Sequence, residues 1–188
     1  MAKLDENLLM QLVRGTLGKQ VVVKVRAGKP YLSALPVVDK NRVPTGGQLV
    51  NRRKFKFSSL YATEVIKDEN AKAAYTAAAR PNQSAHNVAF MDAFIAPEVQ
   101  GIIAQGYRGK PGDIIIVQAT DNFRVKAVKV SIHDPAGELI ETGDAVGNGD
   151  NANWVYTAKQ PNGSVAGSRI TATVIDLPGN EGVMEIVL

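Results

Sequence analysis

A series of short alternating runs in the C-terminal part of the chain constrains its fold more than any other feature. In the run 125–133, Val128, Val130 and Ile132 alternate with Lys129 and Ser131. A period of two is typical of a strand that packs one face against a core and turns the other to water. The turn Asp134-Pro135-Ala136-Gly137 follows directly, so this run predicts an antiparallel strand.

Five further short runs in this part of the chain are also strand-like, and turns rich in Gly, Pro, Asn and Asp separate them. The predicted strands are 113–119, 125–133, 138–142, 154–158, 168–175 and 182–187, with 99–104 as a seventh. Short strands at this spacing favour a two-sheet antiparallel sandwich. The second predicted domain is therefore an all-β immunoglobulin-like sandwich over residues 99–188.

The first predicted domain, residues 1–98, is basic and α+β. Residues 18–26 and 31–36 are β-rich around the turn 27–30, which predicts a hairpin. Helical spacing follows over 48–67 and then over 69–79, where Asp68 is the expected cap. Ser84 is the expected cap of a third helix that Pro97 ends.

The N-terminal segment carries apolar residues at helical spacing before Gly15. They are Leu4, Leu8, Leu9, Leu12 and Val13. Two interpretations stay open: a short amphipathic helix that docks on its own domain, or an arm that docks on a neighbouring molecule.

Composition excludes several classes of protein. Cysteine is absent, which rules out disulfides, thiol catalysis and thiolate metal sites. Since no apolar run approaches the roughly 20 residues of a transmembrane helix, no membrane span is expected. The N-terminus shows no recognisable signal peptide. We expect synthesis in the cytoplasm, with a virion or an extracellular assembly as the final location.

Charge is distributed unevenly along the chain. Residues 1–110 hold 17 Lys or Arg against 8 Asp or Glu, whereas residues 111–188 hold 5 against 10. A basic half can bind nucleic acid or an acidic surface. A chain with ends of opposite charge can also associate with copies of itself.

Several motifs in the C-terminal half resemble bacterial immunoglobulin-like modules. The motifs are Ala119-Thr120-Asp121-Asn122-Phe123, Gly137-Glu138-Leu139-Ile140-Glu141, Trp154-Val155-Tyr156-Thr157 and the final run from Thr171 to Asn180. Such modules occur as repeats in surface proteins and phage structural proteins. The resemblance implies a sandwich fold and a role as spacer, adhesive unit or assembly contact.

The N-terminal half is similar to small uncharacterised proteins of Bacteroidetes-type bacteria. The similarity rests on Gly15-x-Leu17-Gly18-Lys19, Gly28-Lys29, Lys54-Phe55-Lys56-Phe57 and Ala73-Ala74-Tyr75. That family implies no activity for this chain.

No set of residues predicts a catalytic, cofactor or metal site. The chain has two histidines, His86 and His133, which fall in different predicted domains, and a zinc site or a catalytic triad needs partners that converge. The segment from Gly15 to Lys19 lacks the spacing of a phosphate-binding Walker loop. We therefore expect no enzyme, no cofactor and no small-molecule substrate.

Two oxygen-rich regions leave a calcium interpretation open beside a purely structural one. The segment 143–151 resembles a calcium loop but lacks a closing Glu, and its residues equally suit a hairpin turn. Asp121, Asp176 and Asn180 could meet at one edge of the sandwich as oxygen ligands, or each could cap its own turn.

A basic cluster lies at the start of the first predicted helix: Arg52, Arg53, Lys54 and Lys56, interleaved with Phe55 and Phe57. Basic and aromatic groups together can grip phosphates and stack on bases. Since Phe55 and Phe57 point about 200° apart on a helix, at least one of them must serve packing.

The sequence thus predicts a non-enzymatic structural subunit that self-assembles as a homo-oligomer, such as a phage-like virion component, tube or filament. The expected interface residues are Leu8, Leu9, Leu12, Arg52, Arg53, Lys54 and Lys56. One alternative is a module that binds nucleic acid or protein through the basic domain. A second is a surface adhesin that binds glycan through Trp154 and Tyr156.

Overall fold

A computed structural model describes residues 15–18, 20–26, 28–35, 41–149 and 152–188. The chain forms two compact units, Met1–Gln48 and Leu49–Leu188. The predicted N-terminal arm, with Leu8, Leu9 and Leu12, lies outside the described residues.

The first unit contains a three-stranded antiparallel sheet in the order β1-β2-β3. Its strands are β1 (Gly15–Leu17), β2 (Val21–Arg26) and β3 (Lys29–Ala34). The last residue of β2, Arg26, pairs with the first of β3, Lys29, which confirms the predicted hairpin. Gly28 has φ +77° in the connecting turn, a conformation that glycine adopts without strain.

Three helices follow, as predicted: α1 (Gly46–Val65), α2 (Glu69–Ala77) and α3 (Ala85–Phe94). The Asp68 carboxylate accepts from the amide of Ala71 at 2.8 Å. Ser84 accepts from the amide of Asn87 at 3.2 Å. Both predicted caps are thereby confirmed.

The start of α1 has a reciprocal cap that the sequence analysis did not identify. Thr45 Oγ1 accepts from the amide of Gln48 at 3.3 Å, and Gln48 Oε1 accepts from the amide of Thr45 at 3.1 Å. This capping box satisfies amides that have no partner within the helix, so α1 begins two residues earlier than expected.

The helices pack around a small cluster of buried side chains. Its members are Ala62, Tyr75, Val88 and Ala89, and Phe123 packs against them from the loop after the fifth strand. The rings of Tyr75 and Phe123 stack with their centroids 4.3 Å apart. Through this contact the helices belong to the same compact unit as the second sheet.

Seven antiparallel strands complete the second unit. They are β4 (Glu98–Ile103), β5 (Ile114–Thr120), β6 (Val125–His133), β7 (Leu139–Gly147), β8 (Asn153–Thr157), β9 (Arg169–Asp176) and β10 (Glu181–Val187). Their order is β10-β9-β6-β7-β8-β5-β4. The chain therefore has a mixed α+β fold with a hairpin, three helices and an antiparallel sheet, as the sequence predicted.

The alternating residues that predicted the strands supply the core of this sheet. Val128, Val130 and Ile132 of β6 are fully buried, as are Ile170 and Val174 of β9. Burial of each such side chain contributes about 1.5–3 kcal/mol. The inward faces of the strands thus form one continuous core.

The sheet curls into a barrel-like shape. β7 pairs with β6 along most of its length and passes to β8 at its end, where Val146 pairs with Val155. At the other side β10 approaches the start of β4, since Gly182 lies against the carbonyl group of Pro97. This approach brings the first and last strands of the sheet together.

One predicted loop is instead part of a strand. Residues 143–147, expected to belong to an oxygen-rich turn, continue β7. A Cβ on Gly143 would lie 3.0 Å from the ring of Tyr156, and one on Gly147 would lie 3.7 Å from the ring of Trp154. These glycines make room for aromatic rings on the neighbouring strand, so they do not mark a turn.

The two compact units meet between Gln48 and Leu49, whereas the sequence analysis predicted a domain boundary between residues 98 and 99. The three helices group with the seven-stranded sheet. Contacts between residues far apart in sequence join them, among them the stacking of Tyr75 on Phe123. No helix within the described residues is both long and apolar enough to cross a membrane.

Gly182→Ala tests the approach of β10 to β4. The added methyl group would overlap the Pro97 carbonyl, which is backbone and cannot rotate away. We expect the free energy of unfolding to fall by about 1–3 kcal/mol, measured by urea denaturation. Gly163→Ala is the control, because nothing lies within 4 Å of a Cβ at Gly163. Equal effects of the two substitutions would contradict the close approach.

Candidate functional site

A cluster of three carboxylates lies where the helices meet one end of the seven-stranded sheet. Asp92 belongs to α3, Asp121 follows β5, and Asp176 is the last residue of β9. One oxygen atom from each lies within 4.8 Å of the other two. We call these residues the aspartate cluster.

Asp121 and Asp176 take their positions from the turns that follow their strands. Asp121 Oδ2 accepts from the amides of Phe123 and Arg124 at 3.1 and 2.8 Å. Asp176 Oδ1 accepts from the amides of Gly179 and Asn180 at 2.7 and 2.6 Å. Aspartate is favoured in such turns because its side chain satisfies amides that the strand has left unpaired.

Asp92 takes its position from a chain of hydroxyl groups. Tyr75 donates its hydroxyl proton to Asp92 Oδ2 at 2.6 Å. The hydroxyl groups of Tyr61 and Tyr75 lie 3.0 Å apart. Since Tyr75 has only one proton and gives it to Asp92, Tyr61 is the donor to Tyr75. This chain of hydrogen bonds therefore runs from Tyr61 on α1 through Tyr75 on α2 to Asp92 on α3.

Asn180 connects the cluster to the end of α3. Its side-chain nitrogen donates to Asp176 Oδ2 at 2.7 Å and to the carbonyl groups of Ala93 and Asp92 at 3.3 and 3.5 Å. The sequence analysis considered Asn180 as an oxygen ligand. The structure instead uses its amide nitrogen as a donor that orients Asp176.

Two oxygens of the aspartate cluster are buried without a hydrogen-bond partner. They are Oδ1 of Asp92 and Oδ1 of Asp121. The side chains of Asp92 and Asp176 are fully buried. Within the described residues, neither Lys nor Arg forms an ion pair with any of the three. A buried carboxylate without compensation is costly, so this arrangement calls for a positive charge or a proton.

The pKa values of Asp92 and Asp176 reflect the same lack of a neighbouring positive charge. Burial raises the pKa of Asp92 to about 7; the hydrogen bond from Tyr75 opposes the shift, and the charges of Asp121 and Asp176 add to it. Burial also raises the pKa of Asp176, against the opposing effect of its bonds from Asn180 and Gly179. Burial likewise raises the pKa of Tyr75, which keeps that hydroxyl group protonated and able to donate.

A cleft of about 250 Å³ adjoins the cluster. Asp121 contributes to both, and it is partly exposed whereas Asp92 and Asp176 are not. The lining residues are Ala119, Thr120, Asp121, Phe123, Arg124, Val125 and Ala152. Of the three carboxylates, that of Asp121 borders the cleft.

The chemistry that this cluster can perform follows from its donor set. All three side chains offer oxygen, and neither histidine belongs to the group. Oxygen-only sets suit hard cations. The residues that could hold a metal here are Asp92, Asp121 and Asp176.

The predicted basic residues lie together on α1. Arg52, Arg53, Lys54 and Lys56 are all exposed. Lys54 Nζ lies 5.3 Å from the centre of the Phe94 ring, so its stem runs along the helical layer.

The two phenylalanines of this segment have different environments. Phe55 packs edge-on against Phe90, with ring centroids 4.9 Å apart, which confirms that one of the pair serves packing. Phe57 lies on the opposite side of the helix; Phe55 and Phe57 are 59 and 50% exposed.

Of the two residues of the glycan-binding alternative, Tyr156 is buried and Trp154 is partly buried. Tyr156 is 1% exposed and donates to Glu141 Oε2 at 3.0 Å. Trp154 is partly buried against the core of the sheet. The structure therefore offers no exposed aromatic pair at these two positions.

Sequence reasoning found Asp121 and Asp176 but missed Asp92. Asp92 lies among apolar residues of α3, between Met91 and Ala93. A single carboxylate on the buried side of an otherwise apolar helix was the available signal, because a buried charge requires a specific partner.

Comparisons with known proteins leave the function open. The chain matches no protein-family model and no curated protein. A crystal structure of an engineered protein is similar at TM-score 0.30 and 18% identity, over 41% of this chain and 14% of that one. The chain therefore spans less than two thirds of that protein.

A second solved structure is that of hypothetical protein PH1083 from Pyrococcus horikoshii OT3. Its TM-score is 0.28 and its identity 12%, over 50% of this chain and 88% of that one. At TM-scores this low, neither structure carries an argument about fold or function.

Tyr75→Phe tests the hydroxyl chain. The substitution keeps the ring that stacks on Phe123 but leaves Asp92 Oδ2 without its donor. We expect it to lower the free energy of unfolding by about 2 kcal/mol, since hydrogen bonds to charged groups contribute about 1.5–3 kcal/mol.

Tyr61→Phe is the matched control for this measurement. It removes the outer hydroxyl group and leaves the bond between Tyr75 and Asp92 intact. Its cost should stay below about 1 kcal/mol. If chemical denaturation showed a larger loss of unfolding free energy for Tyr61→Phe than for Tyr75→Phe, the proposed direction of the hydrogen bonds from Tyr61 to Asp92 would be refuted.

Proposed function

We propose that this protein is a non-enzymatic structural subunit that self-assembles, with α1 of one copy docking on the outer face of β10 of the next. The observation that carries the proposal is an exposed apolar stripe on α1 flanked by cations. A second surface of the same chain, on β10, has matching apolar residues flanked by carboxylates.

The stripe on α1 consists of Leu49, Val50, Phe57 and Leu60, which we call the α1 stripe. Their exposed fractions are 44, 61, 50 and 58%. At about 100° per residue, the four side chains fall within an arc of roughly 100°. The buried residues of α1, Ser58 and Ala62, lie on the other side. Such an exposed apolar face is typical of an interaction surface.

Two cations lie in or beside the α1 stripe. Arg53 falls within its arc and Lys56 borders it, and both are exposed. Neither forms an ion pair with a described residue. A partner for this surface therefore needs apolar groups at its centre and carboxylates at its rim.

The outer face of β10 has this composition. Val183 and Val187 are 61 and 66% exposed, and Glu181 and Glu185 alternate with them on the same face. Neither glutamate forms an ion pair within the described part of the chain. Successive outward residues of a strand lie about 6.7 Å apart, which leaves space for helical side chains between them.

Contact between two different surfaces of identical chains is heterologous. Such contacts propagate into closed rings or open filaments. The uneven charge of the chain, basic in residues 1–110 and acidic in residues 111–188, favours the same head-to-tail arrangement. We therefore favour a tube, a filament or a virion component over a closed dimer.

The arrangement of the strands also supports an assembly role. We infer an immunoglobulin-like sandwich, in which β4, β5, β8 and the end of β7 form one sheet and the rest of β7 with β6, β9 and β10 forms the other. This matches the strand order of immunoglobulin domains. The motifs that resemble bacterial immunoglobulin-like modules lie on these strands, and those modules serve as spacers and assembly contacts.

A charge exchange tests the interface. Arg53→Glu and Glu185→Lys should each weaken self-association, because each places like charges across the contact. The double variant should recover part of the lost affinity, since the pair is restored with reversed polarity. Sedimentation velocity over a range of concentrations and salt measures the effect. Arg80→Glu is the control, because Arg80 is exposed but lies outside the α1 stripe.

Two results would refute this interface. One is a wild-type protein that remains monomeric at high concentration and low salt. The other is a double variant that is no better associated than the weaker single variant, which would show that the two side chains do not meet.

Nucleic-acid binding is the second candidate, because Arg52, Arg53, Lys54 and Lys56 are all exposed on one helix. We favour self-assembly, since the α1 stripe contains aliphatic residues that a phosphate backbone would not need. Fluorescence anisotropy with labelled single-stranded DNA separates the two. Salt-sensitive binding that Arg52→Glu with Arg53→Glu abolishes, and that Glu185→Lys leaves unchanged, would favour nucleic acid.

A further inference from the structure

We propose that the aspartate cluster binds a calcium ion, which joins α3 to the turns that follow β5 and β9. This site is separate from the α1 stripe and from the outer face of β10, and it does not depend on the proposed self-assembly. The proposal stands on the geometry of the three carboxylates and on the unpaired buried oxygens.

The hydrogen bonds of the cluster leave particular atoms free for an ion. Tyr75 occupies Oδ2 of Asp92, and turn amides occupy Oδ2 of Asp121. The Oδ1 atoms of both residues are buried without a partner. Asp92 is fully buried, so water from bulk solvent does not compensate its free oxygen. A cation between the carboxylates would satisfy both atoms at once.

The distances are suited to a shared ion. Three atoms no more than 4.8 Å apart have a common centre at most about 2.8 Å from each, close to the distance of about 2.3–2.6 Å at which calcium binds oxygen. Small movements of the side chains would bring all three within that range. The adjoining cleft, which Asp121 borders, has space for waters that would complete the coordination shell on that side.

The donor set favours calcium over other metals. Zinc prefers nitrogen and sulfur ligands, and the cluster has neither. Magnesium requires a nearly regular octahedron with short distances, whereas calcium accepts irregular arrangements of carboxylate, carbonyl and water oxygens. Three carboxylates on separate elements form an irregular set. Their combined negative charge also favours a divalent ion over a monovalent one.

Calorimetry and thermal unfolding test the site on the full chain after treatment with a chelator. Addition of about 10 mM CaCl2, roughly ten times the Kd of the weakest protein calcium sites, should give a saturable binding heat and raise the Tm by several degrees. MgCl2 at the same concentration should produce a smaller shift. Absence of both the heat and the shift with calcium would overturn the proposal.

Asp121→Asn is the informative variant. An asparagine keeps a side-chain oxygen for the amides of Phe123 and Arg124 but replaces the free carboxylate oxygen with a nitrogen. The variant should fold and lose the calcium-induced shift. Asp134→Asn is the matched control: Asp134 accepts from the amide of Glu138 at 2.8 Å in a similar turn outside the cluster. An undiminished shift in Asp121→Asn would overturn the assignment.

Terbium luminescence provides a readout that does not depend on stability. Tyr75 contacts Asp92 directly, so tyrosine excitation should sensitise a Tb³⁺ ion bound in the cluster. Calcium should displace the signal, and Asp121→Asn should abolish it. A sensitised signal that persists in Asp121→Asn would place the ion elsewhere and refute this site.

Discussion

Burial of the Asp92 carboxyl group is the interaction on which the arrangement of the second unit depends. An isolated charge is not stable inside a protein, so the surrounding elements must supply partners from different parts of the chain. Tyr75 supplies one from α2, and Asn180 fixes the neighbouring backbone from the turn after β9. The carboxylates of Asp121 and Asp176 then approach from the sheet. Burial of the Asp92 carboxyl group costs free energy unless these partners are in place, so at this corner it also makes the packing of α3 against the two turns specific.

This corner determines where α1 lies. The end of α1 packs through Ala62 against the cluster that holds Tyr75, and Tyr61 continues the hydroxyl chain to Asp92. Most side chains in the first half of α1 are exposed, so the direction of the helix depends mainly on the packed half. The packing of the end of α1 therefore fixes the position of the α1 stripe. The buried Asp92 carboxyl group thus helps to fix the packing of the helices, while the α1 stripe remains exposed on their surface.

Local rules explain why so much of the fold could be predicted. The caps at Asp68 and Ser84 and the alternation of Val128, Val130 and Ile132 are interactions between near neighbours in sequence, which composition and spacing reveal directly. Gly143 and Gly147 were assigned to a turn because their role depends on rings of another strand. Asp92 was missed for the same reason: its partners lie on α2 and beyond the helices.

The sequence by itself determined the hairpin, the three helices, the seven later strands, the uneven charge and the turns that hold Asp121 and Asp176, but not the short strand β1. Each of these follows from contacts within a few residues. Only the tertiary structure decided that the helices join the seven-stranded sheet, that Asp92 meets the two turn aspartates, and that the apolar residues of the α1 stripe remain exposed. Those features depend on which distant surfaces are buried together, and burial is a property of the folded chain as a whole.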